Sequence, residues 1–93
     1  MEQAGQKQTY QVTFIQTGQE TFTLIFVNYS VVIDDRMAAR AITALKKFFT
    51  SGEIVLVALD IMQQPHFAGA RHLVELLRGR KITDFKWQTA VVG

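Results

Sequence analysis

Two segments near the start of the chain have the residue patterns of β-strands. In residues 7–16, Tyr10, Val12 and Phe14 alternate with Thr9, Gln11 and Thr13, as in a half-buried strand. Residues 21–33 are rich in aromatic and β-branched residues, which also favours a strand. Residues 17–20 between them have the composition of a turn. The pattern predicts a hairpin that pairs Phe14 with Phe22, because this register places the large residues of both strands on one face.

The rest of the chain alternates helical and strand patterns. Residues 34–50 and 66–78 each carry apolar residues in one arc at helical spacing, with charged residues opposite. Between them, residues 54–59 form an unbroken apolar run that is typical of a central strand, and residues 81–92 alternate again. The order ββαβαβ predicts an α/β two-layer sandwich, with a mixed four-stranded sheet in the order 1-2-3-4 and both helices packed mainly on one face.

Composition narrows the class of protein. The chain has 93 residues, enough for one domain over 1–93, with residues 1–6 expected to be a flexible tail. There is no cysteine, which excludes disulfides and thiolate sites. No apolar run reaches the roughly 18 residues of a membrane helix, and the polar N-terminus lacks the apolar stretch of a signal peptide. These features predict a cytoplasmic protein with no membrane contact.

A two-layer arrangement would leave one face of the sheet without a helix. Ile25, Val27 and Tyr29 of the second strand would point to that face, and the third strand would add further apolar residues. A bare apolar strip is unusual on a monomer. The sequence therefore predicts a homodimer that pairs these faces. The alternative is that one helix covers each face.

Three polar residues lie where open α/β sheets place their ligands. Asp60 ends the apolar strand, His66 follows it, and Asp34 ends the second strand. A carboxylate and a histidine can form an acid–base pair, so these three are the candidate catalytic residues. The alternative is that the aspartates cap helices or turns and His66 is a solvated residue. No nucleophile elbow, phosphate loop or dinucleotide fingerprint accompanies them, which favours a protein without enzymatic activity.

The two histidines do not predict a metal site. His66 and His72 are six residues apart, and a helix would point them in directions about 120° apart. The metal-binding pair of a helix needs positions i and i+4. We therefore expect no metal and no other cofactor.

Basic residues are concentrated in the second part of the chain. Up to residue 35 there is one lysine against four acidic residues, and after it there are nine basic against four acidic residues, which leaves +2 overall. If both predicted helices lie on one side, their outer faces form a positive layer suited to nucleic acid or to an acidic protein. The alternative is ordinary solvated helix faces. The residues concerned are Arg36, Arg40, Lys47, Arg71, Arg78 and Arg80.

The segment from Gly52 to Leu77 resembles an anti-sigma-factor antagonist (STAS-type) domain. In both, a buried strand ends in an aspartate and leads through a loop to a helix that starts with small residues. Those domains present a phosphorylatable serine near the helix start, whereas residues 67–69 of this chain carry no hydroxyl group. The resemblance implies a similar strand–loop–helix segment, and no function is inferred from it.

Taken together, the sequence predicts a small non-enzymatic binding or regulatory module. Two alternatives stay open at this point. One is nucleic-acid binding by the basic helix faces. The other is a small-molecule site formed by Asp34, Asp60 and His66.

Overall fold

A five-stranded mixed sheet forms the centre of the chain, and helices lie on both of its faces. The computed structural model describes residues 8–50 and 52–92, so the tail predicted over residues 1–6 lies outside the described residues. No helix in this part of the chain is long and apolar enough to span a membrane. The elements are β1 (Gln8–Gln16), β2 (Thr21–Phe26), α1 (Tyr29–Val32), α2 (Asp35–Leu45), β3 (Glu53–Leu59), β4 (Pro65–Ala68), α3 (Arg71–Leu77) and β5 (Gln88–Val92).

The strands lie in the order β4-β3-β2-β1-β5, so the predicted sheet of four strands in the order 1-2-3-4 is wrong. β2 and β3 are parallel, and the other neighbouring pairs are antiparallel. The additional strand is Pro65–Ala68, which the apolar pattern assigns to the start of a helix. Four residues are too few to separate a period of 2 from a period of 3.6. A proline at the first position of an edge strand costs no ladder hydrogen bond.

The β1–β2 hairpin differs from its predicted register by one residue. Phe14 lies opposite Thr23, and Ile15 lies opposite Phe22. The turn decides this register, because the Thr17 amide donates to the Glu20 carbonyl at 2.8 Å and closes a two-residue loop. The prediction assumed a single buried face. Since both faces of the sheet are covered, large residues are accommodated on either side.

Each face of the sheet has its own apolar core. α1 and α2 cover the first face, and α3 covers the second, so the prediction that both helices pack on one face is wrong. The first cluster of buried residues contains Val12, Ile25, Val32, Ala38, Leu45, Phe49, Ile54, Leu56 and Ala58. The second contains Phe22, Leu24, Val55, Val57, Leu73 and Leu77.

This arrangement removes the helix-free face that was expected to mediate self-association. Ile25 is fully buried in the first cluster, and Val27 packs against it. Tyr29 is the first residue of α1, because β2 ends at Phe26 and the β-branched residues after it form one helical turn. The rule for right-handed crossovers does not apply to α3, which follows an antiparallel hairpin and carries the chain across the second face to the free edge of β1.

Candidate functional site

Asp60 and His66 meet on the α1 side of the β3–β4 hairpin. The Oδ2 atom of Asp60 lies 2.7 Å from Nε2 of His66, and the Tyr29 ring packs edge-on against the imidazole with 5.2 Å between ring centroids. The Oδ1 atom of Asp60 accepts hydrogen bonds from the backbone amides of Met62 and Gln64, at 2.8 and 2.9 Å. The Gln64 amide, followed by the His66 side chain, lowers the pKa of Asp60 below its ordinary value.

These contacts are those of a structural turn. Both oxygens of the Asp60 carboxylate are hydrogen-bonded within the hairpin, and Gln63 takes the left-handed conformation, with φ of 65°, that a three-residue loop of this type uses. Neither Asp60 nor His66 lines any of four cavities on the described surface. An acid–base pair needs a substrate within hydrogen-bond reach, and none of these cavities places one there.

Asp34, the third candidate catalytic residue, makes its hydrogen bonds at the start of α2 and not with Asp60 or His66. It is the N-cap of α2, where its Oδ1 atom accepts hydrogen bonds from the amides of Arg36 and Met37 at 2.9 and 3.1 Å. The structure therefore brings Asp60 and His66 together and uses Asp34 to start a helix. In the described residues, no three histidine, aspartate or glutamate side chains are grouped so that they could hold a metal ion.

The basic residues are divided between the two helix layers. The condition for one positive layer, both helices on the same face, is not met. Arg36, Arg40 and Lys47 are exposed on α2 and the turn after it, whereas Arg71 is exposed on α3 and Arg78 at its C-cap. Arg78 pairs with Glu75 at 2.9 Å, and the Arg80 guanidinium lies 5.8 Å from the centre of the Phe85 ring.

A channel runs along the edge strand β4 between α2 and α3. Its volume is about 730 Å³. Small residues of α2 and β4, among them Ala39 and Ala68, form one part of its wall. α3 contributes Arg71 and apolar Val74, and Arg78 at the C-cap of α3 also lines it. A second cavity of about 410 Å³ adjoins the channel and shares Phe67, Val74 and Arg78 with it. β4 thus lies at the centre of a continuous concave surface.

The backbone of β4 carries hydrogen-bonding groups that point away from β3. The Asp60 amide donates to the Gln64 carbonyl at 3.0 Å, so these two residues form a hydrogen-bonded pair. Such pairs alternate along antiparallel strands, which makes His66 and Ala68 the next residues of β4 bonded to β3. The N–H and C=O of Phe67, which lies between them, therefore point outward into the channel.

Sequence reasoning missed this channel because it assigned the segment from His66 onward to a helix. A signal was present in the turn. Asp60 directly follows the apolar strand, and aspartate commonly accepts hydrogen bonds from backbone amides two residues on. Pro65 then starts a second apolar stretch close enough to fold back on the first. A hairpin at this position was therefore a possible prediction.

Comparisons of the chain with protein-family models, with curated proteins and with solved structures gave no match. The resemblance to a STAS-type domain also loses its basis, because the segment expected to start the helix is β4 and the helix begins only at Arg71.

Proposed function

We propose that this protein is a non-enzymatic binding module that docks an extended acidic segment of a partner protein along the β4 edge. The outward-pointing N–H and C=O of Phe67, at the base of the channel between α2 and α3, carry the proposal. An open strand edge can accept a further strand, and the backbone hydrogen bonds then supply affinity while side-chain pockets supply specificity.

The shape of the channel supports an extended segment in preference to a helix. An added strand would lie about 4.8 Å from β4, in the plane of the sheet. Ala38 and Ala39 of α2 and Ala68 of β4 leave room beside this position, because none of them has a side chain beyond Cβ. α3 bounds the other side. A segment one strand thick would thus have a helix on each of its faces.

The charges around the edge favour an acidic segment. Four basic side chains line the channel and the adjoining cavity, against two acidic ones, and the pairing of Arg78 with Glu75 leaves three basic residues against one acidic residue. The basic residues are Arg71, Arg78, Arg80 and Lys81, and the acidic residues are Asp35 and Glu75. Alternate side chains of a strand point to opposite faces. The partner segment should therefore alternate small apolar residues, facing α2, with acidic residues, facing α3.

The test is a titration of ¹⁵N-labelled protein with a peptide of about six residues that alternates valine and glutamate. We expect saturable binding, a shift of the Phe67 amide resonance and slower hydrogen exchange at that amide. A peptide in which lysine replaces glutamate is the charge control and should not bind. Equal binding of the two peptides, or no binding of the acidic one, would contradict the proposal.

A steric variant locates the site. Ala39 is exposed and lines the channel, so Ala39→Phe should block the peptide. Thr43, one turn further along the exposed surface of α2, lines neither cavity, and Thr43→Phe is the matched control. Full binding by the Ala39→Phe variant, with its fold intact by circular dichroism, would remove the channel as the docking site.

Labelled DNA and RNA test the alternative under the same conditions. Their binding at low salt, without binding of the acidic peptide, would overturn the proposal. Nucleic-acid affinity should then fall steeply with salt and be lost when Arg36, Arg40 and Lys47 are replaced by glutamate. Binding of the peptide alone would support the acidic-segment proposal.

The absence of enzymatic activity and a cytoplasmic location remain predictions of the sequence. The first is supported by the hydrogen bonds that engage Asp60 and His66 within the hairpin. Self-association also remains a proposal, and it needs a surface other than Ile25, which is buried, and Val27, which is partly buried against the first cluster.

A further inference from the structure

The opposite edge of the sheet, β5, also has free backbone groups. Thr17 and Glu20 form a hydrogen-bonded pair at the β1–β2 turn, so the odd-numbered residues of β1 bond to β2 and the even-numbered ones bond to β5. Tyr10 of β1 thus bonds to Ala90, its partner in the register. The residues on either side of Ala90, Thr89 and Val91, direct their N–H and C=O groups out of the sheet.

We propose that two copies of this chain pair through β5 as an antiparallel homodimer, with the two-fold axis at Ala90. In this register Thr89 lies opposite the partner's Val91, and Val91 lies opposite the partner's Thr89. Each of these two pairs exchanges both backbone hydrogen bonds. The Ala90 side chains meet at the axis as a non-hydrogen-bonded pair, where facing side chains are close together and a small residue fits best.

The charge pattern of this edge fits a second copy. A two-fold interface brings the same patch of the two copies together, so an edge that carried charges of one sign would repel its mate. Gln88–Val92 contains no charged residue, and neither does the Gln8–Val12 stretch of β1 beside it. β4, by contrast, is flanked by basic side chains, which oppose self-pairing there. Natural edge strands are commonly protected by charges or proline, and β5 has neither.

The side chains of β5 also support pairing with a second copy. Val91 is 59% exposed in the single chain although it is apolar, and pairing would place it beside the partner's Thr89. The contact is one short strand wide, well below the roughly 1,200 Å² of the smallest stable interfaces. We therefore expect a reversible dimer whose population rises with protein concentration.

A proline substitution provides a sharp test. The Val91 amide makes no hydrogen bond within the chain in this register, so Val91→Pro removes an intermolecular donor and leaves the β1–β5 ladder complete. In sedimentation or light-scattering measurements over a range of concentrations, the wild-type mass should rise from 10.5 kDa toward twice that value. Val91→Pro should stay at the monomer mass, and the matched variant Val91→Ala should still dimerise.

Hydrogen exchange keeps the proposal testable if the proline variant does not fold. In the wild type, the Thr89 and Val91 amides should exchange more slowly as the concentration is raised, because their N–H groups become bonded to the partner. A wild-type mass that stays at the monomer value, or a folded Val91→Pro variant that dimerises as well as the wild type, would overturn the proposal. Exchange at these two amides that is independent of concentration would also overturn it.

Discussion

Leu73 is the residue on which the second helix layer depends. It is fully buried, in the cluster that contains Phe22 and Leu24 of β2. α3 has only seven residues, and a helix of this length is not stable by itself in water. Its position, and with it one wall of the β4 channel, therefore depends on packing against the sheet.

Truncation of this side chain should cost a large share of the stability. Leu→Ala changes at buried sites cost about 2–5 kcal/mol, as the lost transfer free energy plus a cavity. We expect about 3 kcal/mol for Leu73→Ala, since a short surface helix can partly collapse into the gap. Leu76, on the same helix, is 46% exposed. Leu76→Ala should therefore cost below about 1 kcal/mol, because much of that side chain is already in water.

Urea unfolding of the wild type and the two variants measures both values. A small domain has about 5–15 kcal/mol of stability in total, so the difference between the variants is well within reach of the method. A loss at Leu73 no larger than the loss at Leu76 would refute the packing of α3 on the second face. It would also refute a sheet with a core on each side.

Two further predictions concern the turns. Gly52→Ala should cost more stability than Gly79→Ala in the same urea assay. Both residues have positive φ, 94° and 82°, a conformation that costs a non-glycine residue about 1–2 kcal/mol. Only at position 52 would the new Cβ also overlap the Thr21 carbonyl oxygen. Similar costs at the two sites would contradict that close approach. Because the pKa of Asp60 is lowered in the folded chain, its stabilising contribution is complete above its unfolded-state pKa and is lost as the pH falls through the folded value. Asp60→Asn should therefore show less loss of stability on acidification than the wild type, and parallel acid unfolding curves for the two proteins would contradict this.

The two open edges of the sheet differ in charge, since basic residues flank the β4 edge and β5 has no charged residue. We propose that this difference assigns a different partner to each edge, an acidic segment to β4 and a second copy to β5. The edges lie at opposite ends of the sheet. Under these proposals, a dimer formed through β5 would carry a β4 channel at each end of one continuous sheet, and it could bind a partner with two acidic segments more tightly than either channel alone.

The sequence by itself determined the elements whose pattern is local. The alternation around Val12, the apolar run after Glu53 and the amphipathic stretch after Asp34 correspond to β1, β3 and α2. Apolar side chains along each of these segments follow the pattern of a strand or a helix, so the element can be recognised without knowing what packs against it. The N-cap at Asp34 is local as well, because its side chain bonds to backbone amides two and three residues further along the chain.

The tertiary structure alone decided how these elements meet. The one-residue shift that sets Phe14 opposite Thr23 depends on a hydrogen bond in the turn and on the presence of two cores. Pro65–Ala68 became a strand because β3 offered it a partner, and Gln88–Val92 paired with β1 at the far edge because α3 carried the chain across the sheet. The two hairpins join neighbouring segments, whereas the β1–β5 pairing and the two cores depend on contacts between residues far apart in the chain. The channel beside β4 is formed by such contacts, which is why its residues could not be grouped before the fold was known.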